Sequence, residues 1–245
     1  MICGNAKTIS EYIDDVIRLA SLSCHEEEID EQQWKKIASS VRELLVHLRI
    51  AILKEISPRS LIRLLIVIFG CLGNDRSTRK IVIHDNELAQ LARQSLKSIL
   101  LSVKVSSVEE LLMKSIKDTG SLSASVLDRI ICESTNFIAH LHQGHSDDSI
   151  HRGPLFRDAL IWVTGTAHYP MLSDCRYLSV LHPLCLQLVE DYRHQLKMLG
   201  LELLTHLGRE ISVSTWRMTG RIEATLETLA CQRSIHSESV VSQHL

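Results

Sequence analysis

Residues 181–207, LHPLCLQLVEDYRHQLKMLGLELLTHL, decide how this chain is read. Leu184, Leu188 and Val189 fall on one side of a first predicted helix, and Leu196, Leu199, Leu203 and Leu204 on one side of a second. Pro183 stands near the start of the first helix, Asp191 at the charged turn, and Lys197 and Gly200 on the second. Two antiparallel helices of this kind leave apolar surface above and below the pair. Burial is completed only when neighbouring pairs stack, so the stretch predicts one unit of a helical repeat array. Asp191 and Lys197 are placed to pair with their counterparts in adjacent units. Surface contacts of that sort contribute roughly 0–1 kcal/mol each and set register more than stability.

The rest of the chain agrees with an all-α fold. Only 10 glycines and 4 prolines occur in 245 residues and aromatics make up 4%, so turn-formers and strand-favouring rings are scarce. Hydrophobic residues at 45% and charged residues at 23% are ordinary for a folded protein, which argues against wholesale disorder. A net charge of −2 gives no electrostatic reason to expect nucleic acid or an anionic membrane as ligand, and protein partners are the default expectation. The seven cysteines are dispersed and odd in number, which fits reduced, mostly buried thiols better than a disulfide framework. The opening MICGNAKTISEYIDD has no continuous apolar core and predicts no signal peptide. The most apolar run, residues 61–73, is too short to span a bilayer and carries Arg63, so a buried helix is expected there.

Taken in order, residues 8–22 place Tyr12, Ile13, Val16 and Ile17 at helical spacing, and a longer pattern from Glu31 carries Trp34, Ile37, Val41, Leu44, Leu45 and Leu48, ended by Ser57 and Pro58. Residues 60–69 are apolar almost all round and predict a central helix, followed by a mixed-charge loop over 73–80. Asp85 or Asn86 caps a helix to about Val103; Ser106 or Ser107, with Glu109 and Glu110, opens a shorter one through Ile116, which residues 118–120 close. Residues 122–142 form another amphipathic helix. Residues 142–153, HQGHSDDSIHRG, are the clearest break, and Pro154 starts a helix to about Thr166. A last helix is expected over residues 215–230, with a frayed or disordered tail beyond. The expected organisation is therefore an N-terminal helical region (1–141), a polar hinge (142–153), C-terminal repeats (154–230) and a tail (231–245).

Catalytic signatures are missing. No GK[ST] follows Gly70 and Gly73, and no GxSxG elbow is present. Cys185 and His182 share a helix face, yet a nucleophile needs an orienting third group and a cleft, and a core cysteine is the simpler reading. His140, His142, His145 and His151 with Asp147 and Asp148 form the richest ligand cluster, read as a solvated loop because residues two apart on a helix point different ways. Neither catalytic nor cofactor-binding nor metal-binding residues are expected. Trp216, followed by Arg217 and Arg221, is the interface candidate, since aromatic and arginine side chains dominate binding hot spots.

The order proline, aspartate at the turn, basic residue, small residue, held here by Pro183, Asp191, Lys197 and Gly200, resembles the HEAT repeat. More narrowly, residues 162–229, through VEDYRHQLKMLGLELLTHLG and TGRIEATLETL, resemble the C-terminal half of the Tel-Two-interacting protein Two family, with Glu190 and Asp191 in place of its paired acidic turn. The resemblance implies a HEAT-like α-solenoid of antiparallel helix pairs, an α-α superhelix without enzymatic activity. It further implies a scaffold subunit of the Triple-T co-chaperone complex, in cytoplasm and nucleus, bound to the larger α-solenoid subunits. With the Hsp90 machinery that complex serves phosphatidylinositol-3-kinase-related kinases. The other expectation is an unrelated HEAT-type adaptor for protein partners. Neither reading involves a cofactor, nucleic acid or a membrane.

Overall fold

A computed structural model describes residues 8–22, 31–48, 56–76, 86–116, 124–140, 154–173, 175–191 and 194–241. The fold is all-α, of helical-repeat type, and divides into two compact units, Met1–Thr166 and Ala167–Leu245.

In the first unit, α1 (Ile9–Leu22), α2 (Glu31–Leu48), α3 (Pro58–Arg76) and α4 (Asn86–Val103) form two hairpins. Helix α1 packs on α2 and α3 on α4; across the hairpins α1 touches α3 and α2 touches α4. This two-layer stacking is how an array buries faces that no single hairpin can cover. The helix starts are written locally. The Thr8 N–H donates to Glu11 Oε2 (2.6 Å) and the Glu11 N–H to Thr8 Oγ1 (3.3 Å), a reciprocal cap that satisfies two otherwise unpaired donors. Ser57 Oγ accepts from the Ser60 N–H (3.1 Å), and Pro58, expected to end the preceding helix, stands in the first turn of α3, where its missing N–H removes no intrahelical bond.

Helix α3 is central, as its all-round apolar pattern predicts: Ile62 and every residue from Leu64 to Phe69 are at most 1% exposed. It runs on to Arg76, so the first four residues of the expected loop over 73–80 are helical; residues 77–80 lie outside the described ones. Its principal partner is α7 (Pro154–Thr166). Gly70 and Gly73 allow this. A Cβ on Gly70 would stand 2.6 Å from Leu155 Cδ1, and one on Gly73 would overlap the Asp158 carbonyl. Trp162, half-buried, stacks on Phe69 at 4.2 Å. Helix α7 therefore belongs with the first unit, whereas the sequence grouped residues 154–166 with the C-terminal repeats; the glycines that seat it lie some eighty residues upstream, out of reach of local pattern. Arg63, the one charge in the apolar run, pairs with Glu133 (2.7 Å) and with Asp14.

Between α4 and α7 come α5 (Val108–Met113) and α6 (Val126–His140). Ser107 caps α5 by accepting from the Glu110 N–H (3.2 Å), while Glu110 Oε2 accepts from the Ser106 N–H (2.7 Å). The helix ends at Met113 and not at Ile116. Ser115–Ile116 (β1) pairs antiparallel with Ala124–Ser125 (β2), and Ser125 then caps α6 with Asp128. Residues 118–120 and the expected hinge, 142–153, fall outside the described residues.

In the second unit α8 (Cys175–Glu190) and α9 (His194–Glu210) form the hairpin on which the sequence reading turned. Leu184, Leu188, Val189, Leu196, Leu199, Leu203 and Leu204 are all buried. Helices α10 (Val213–Met218) and α11 (Arg221–Val241) follow, with α11 packed beside α8. One helix was expected over residues 215–230. The chain breaks it at Thr219–Gly220, where Gly220 takes φ +65°, a left-handed conformation open to glycine. Helix α11 continues to Val241, into the stretch expected to be a frayed tail.

Candidate interaction surface

The four repeat-signature residues do not occupy equivalent positions. Gly200 is buried against α8: a Cβ there would stand 2.7 Å from the Val189 nitrogen and 2.9 Å from the Cys185 carbonyl. Its lack of a side chain sets the spacing of the hairpin. Asp191 lies at the turn as expected but is 7% exposed, so it belongs to the packed joint and not to an outer surface; its N–H donates to the Leu188 carbonyl (3.3 Å). Lys197 is half-buried on α9. Pro183 is displaced: α8 begins at Cys175, so the proline sits in mid-helix, where it gives no N–H to the Ser179 carbonyl. The apolar period that located the helix starts later than the helix itself, because Tyr177 and Leu178 extend the buried face upstream.

The sequence singled out Trp216, Arg217 and Arg221 as partner-binding. Arg217 is exposed, Arg221 half-buried and Trp216 only 8% exposed. Trp216 is thus not a protruding anchor. Its ring meets His182 edge-on at 5.4 Å, and it lines an open groove of about 270 Å³ with Leu204, Gly208, Val213, Ile222, Thr225 and Leu226. The rim is apolar and exposed: Val213 is 60% and Leu226 61% exposed. Large apolar side chains grouped beside a groove mark interaction surfaces more often than isolated ones do. Short α10 produces this grouping by turning the chain between α9 and α11, and Ser212 starts it by accepting from the Thr215 N–H (3.2 Å).

His182 is buried beneath the tryptophan. Thr225 Oγ1 donates to the Arg221 carbonyl (2.8 Å), so the 2.8 Å contact with His182 is an imidazole Nε2–H donating to the hydroxyl. Nδ1 therefore carries the lone pair. Burial, with the Arg221 cation adding to it, lowers the His182 pKa to about 4. His182 Nδ1, Trp216 Nε1 and Arg221 Nε are buried polar atoms without a hydrogen-bond partner.

The arrangement does not activate a nucleophile at Cys185. Its thiol is fully buried, burial pushes its pKa well up, and the His182 Nε2 is engaged by Thr225. Cys71 is likewise buried, its thiol raised to about 12. Cys132 and Cys231, by contrast, are exposed, so burial of the thiols is not general. Of the histidine-rich stretch only His140 lies in a described helix; the rest, with Asp147 and Asp148, lies outside the described residues. A grouping the sequence reading missed is His168, His206 and Glu210, with one potential ligand atom from each within 4.8 Å of the others. His206 and Glu210 are spaced i, i+4 on α9, a legible signal, but His168 joins them only through the fold.

No family model, curated protein or solved structure matches the chain. Among the described residues no helix is long and apolar enough to cross a membrane.

Proposed function

We propose that the chain is a non-enzymatic scaffold of the Triple-T co-chaperone type, which binds a larger α-solenoid subunit and, with the Hsp90 machinery, supports maturation and stability of phosphatidylinositol-3-kinase-related kinases in the cytoplasm and nucleus. One observation carries this reading. In the α8–α9 hairpin Asp191 closes the turn and Gly200 seats the second helix on the backbone of the first, in the order on which the resemblance rests. The apolar groove beside Trp216 supplies surface for a protein partner at the C-terminal end of that hairpin. Co-expression with the large Triple-T subunit is the test. Co-purification, with loss of the kinases on depletion, supports the proposal; failure of both removes it.

A second reading, an unrelated helical-repeat adaptor for protein partners, is favoured by Pro183, whose mid-helix position departs from the early proline of the order on which the resemblance rests. Affinity purification from cells separates the two by the identity of the bound subunits.

A further inference from the structure

We propose that His168, His206 and Glu210 form a divalent-metal site of zinc type that ties the segment entering the second unit to the end of α9. Three observations carry it. First, His168 Nδ1 and Glu210 Oε1 stand 3.2 Å apart. That is a hydrogen-bond distance, and it is also close to the roughly 3.3 Å edge of a tetrahedron whose centre lies 2.0–2.1 Å from each ligand. An ion can take the place of the shared proton with little movement of either side chain, releasing that proton to solvent.

Second, the outer contacts are those a metal site uses. His206 Nε2 lies 2.8 Å from the Ala167 carbonyl, which can only accept, so Nε2 is the protonated nitrogen and Nδ1 keeps the lone pair for an ion. Metal-binding histidines commonly donate their other N–H to a backbone carbonyl in this way. The second oxygen of Glu210, Oε2, accepts from the Tyr169 N–H (2.8 Å). That bond, with the hydrogen bond from His168, holds the Glu210 carboxyl below the usual carboxylate range, so it is anionic at neutral pH. Third, His168 is half exposed, so water can reach the cluster to serve as a fourth ligand. Two imidazoles and one carboxylate with an open position suit Zn²⁺; oxygen-seeking Ca²⁺ and Mg²⁺ are poorly served by two nitrogen ligands. The two rings, 5.1 Å apart and at 75°, already approach from different directions.

Titration of the full-length chain with Co²⁺, a spectroscopic stand-in for Zn²⁺, tests the site. One ion with a four- or five-coordinate visible spectrum is expected, displaced by Zn²⁺, with thermal unfolding moved upward by either metal. His168→Gln and Glu210→Gln should each weaken binding more than the roughly 10–100-fold typical of losing an outer partner, and circular dichroism checks that both remain folded. Replacing His142, His145 and His151 together by Gln should leave the titration unchanged. The proposal is overturned if no ion binds, leaving a hydrogen-bonded clamp only. It is equally overturned if binding survives both site variants, if the triple variant abolishes it, or if thiolate absorption shows that cysteines hold the ion.

Discussion

Gly200 stands so near Val189 that a Cβ on the glycine would lie 2.7 Å from the valine nitrogen. What would be met is backbone, which cannot rotate aside, and the Cys185 carbonyl at 2.9 Å closes the other direction. Gly200→Ala is therefore expected to force α9 away from α8 and destabilise the second unit by about 1–3 kcal/mol, outweighing a helix-propensity gain of about 1 kcal/mol. Gly208 on the same helix is the control. Nothing lies within 4 Å of its would-be Cβ, so Gly208→Ala should stabilise by up to about 1 kcal/mol. Denaturant unfolding of the two variants reads opposite signs; equal signs would refute the close-approach account.

Arg63 joins α3 to two other helices through unequal pairs. Its side chain is 18% exposed, that of Glu133 21% and that of Asp14 60%. A double-mutant cycle should give about 1 kcal/mol or more for Arg63–Glu133, where screening by water is weak, and roughly 0.2–1 kcal/mol for Arg63–Asp14. Added salt should reduce the second coupling more than the first.

Much of this fold was legible in the sequence because its information is local. The all-round apolar period of α3, the Ser107–Glu110 cap and the leucine stripes of α8 and α9 each follow from spacings of three or four residues. What escaped depended on partners far away in the chain. The close fit of Gly73 to Asp158, which fixes α7 in the first unit, leaves no periodic trace, since a glycine in an apolar helix reads only as a weak point. Gly220 was within reach, but the apolar spacing through Trp216, Ile222 and Leu226 ran across it and the break went unread. The candidate groove was half visible. Trp216 was identified, while its burial by His182 could not be read from composition, and His168 could not be associated with His206 and Glu210 without the turn that carries it over α9.

His182 is expected to make the second unit acid-sensitive. In the native state burial and then Arg221 lower its pKa from 6.5 to about 4, and Thr225 and Trp216 also contact the ring. Between those two pH values the unfolded chain binds a proton that the folded one refuses. Its contribution to stability is thus full above pH 6.5 and falls as pH drops toward 4, by at most about 1.4 kcal/mol per pH unit. His182→Gln, which keeps a donor for Thr225, should flatten the stability profile over that window when unfolding is followed at pH 7 and at pH 4.5. An unchanged slope would assign the acid sensitivity elsewhere.

Partner binding and folding should separate around the groove. Trp216 contributes chiefly to packing, being 8% exposed, so Trp216→Ala is expected to cost about 3–5 kcal/mol and to lose partners by loosening the unit. Leu226 and Val213, which line the groove, are 61% and 60% exposed and contribute little to the fold. Charging them, as Leu226→Asp and Val213→Asp, should alter unfolding by no more than roughly 0.5 kcal/mol. The same changes bring an anion into an apolar contact, where desolvating it is costly, and should abolish co-purification with the proposed α-solenoid partner. Arg217→Ala, at an exposed position on the same short helix, should weaken capture less and more strongly at low salt, since a rim charge acts on association through a screened field. If the two aspartate variants stay folded and still co-purify as well as the unaltered chain, the groove is not the surface that holds the partner, and the exposed apolar rim has to be assigned another role.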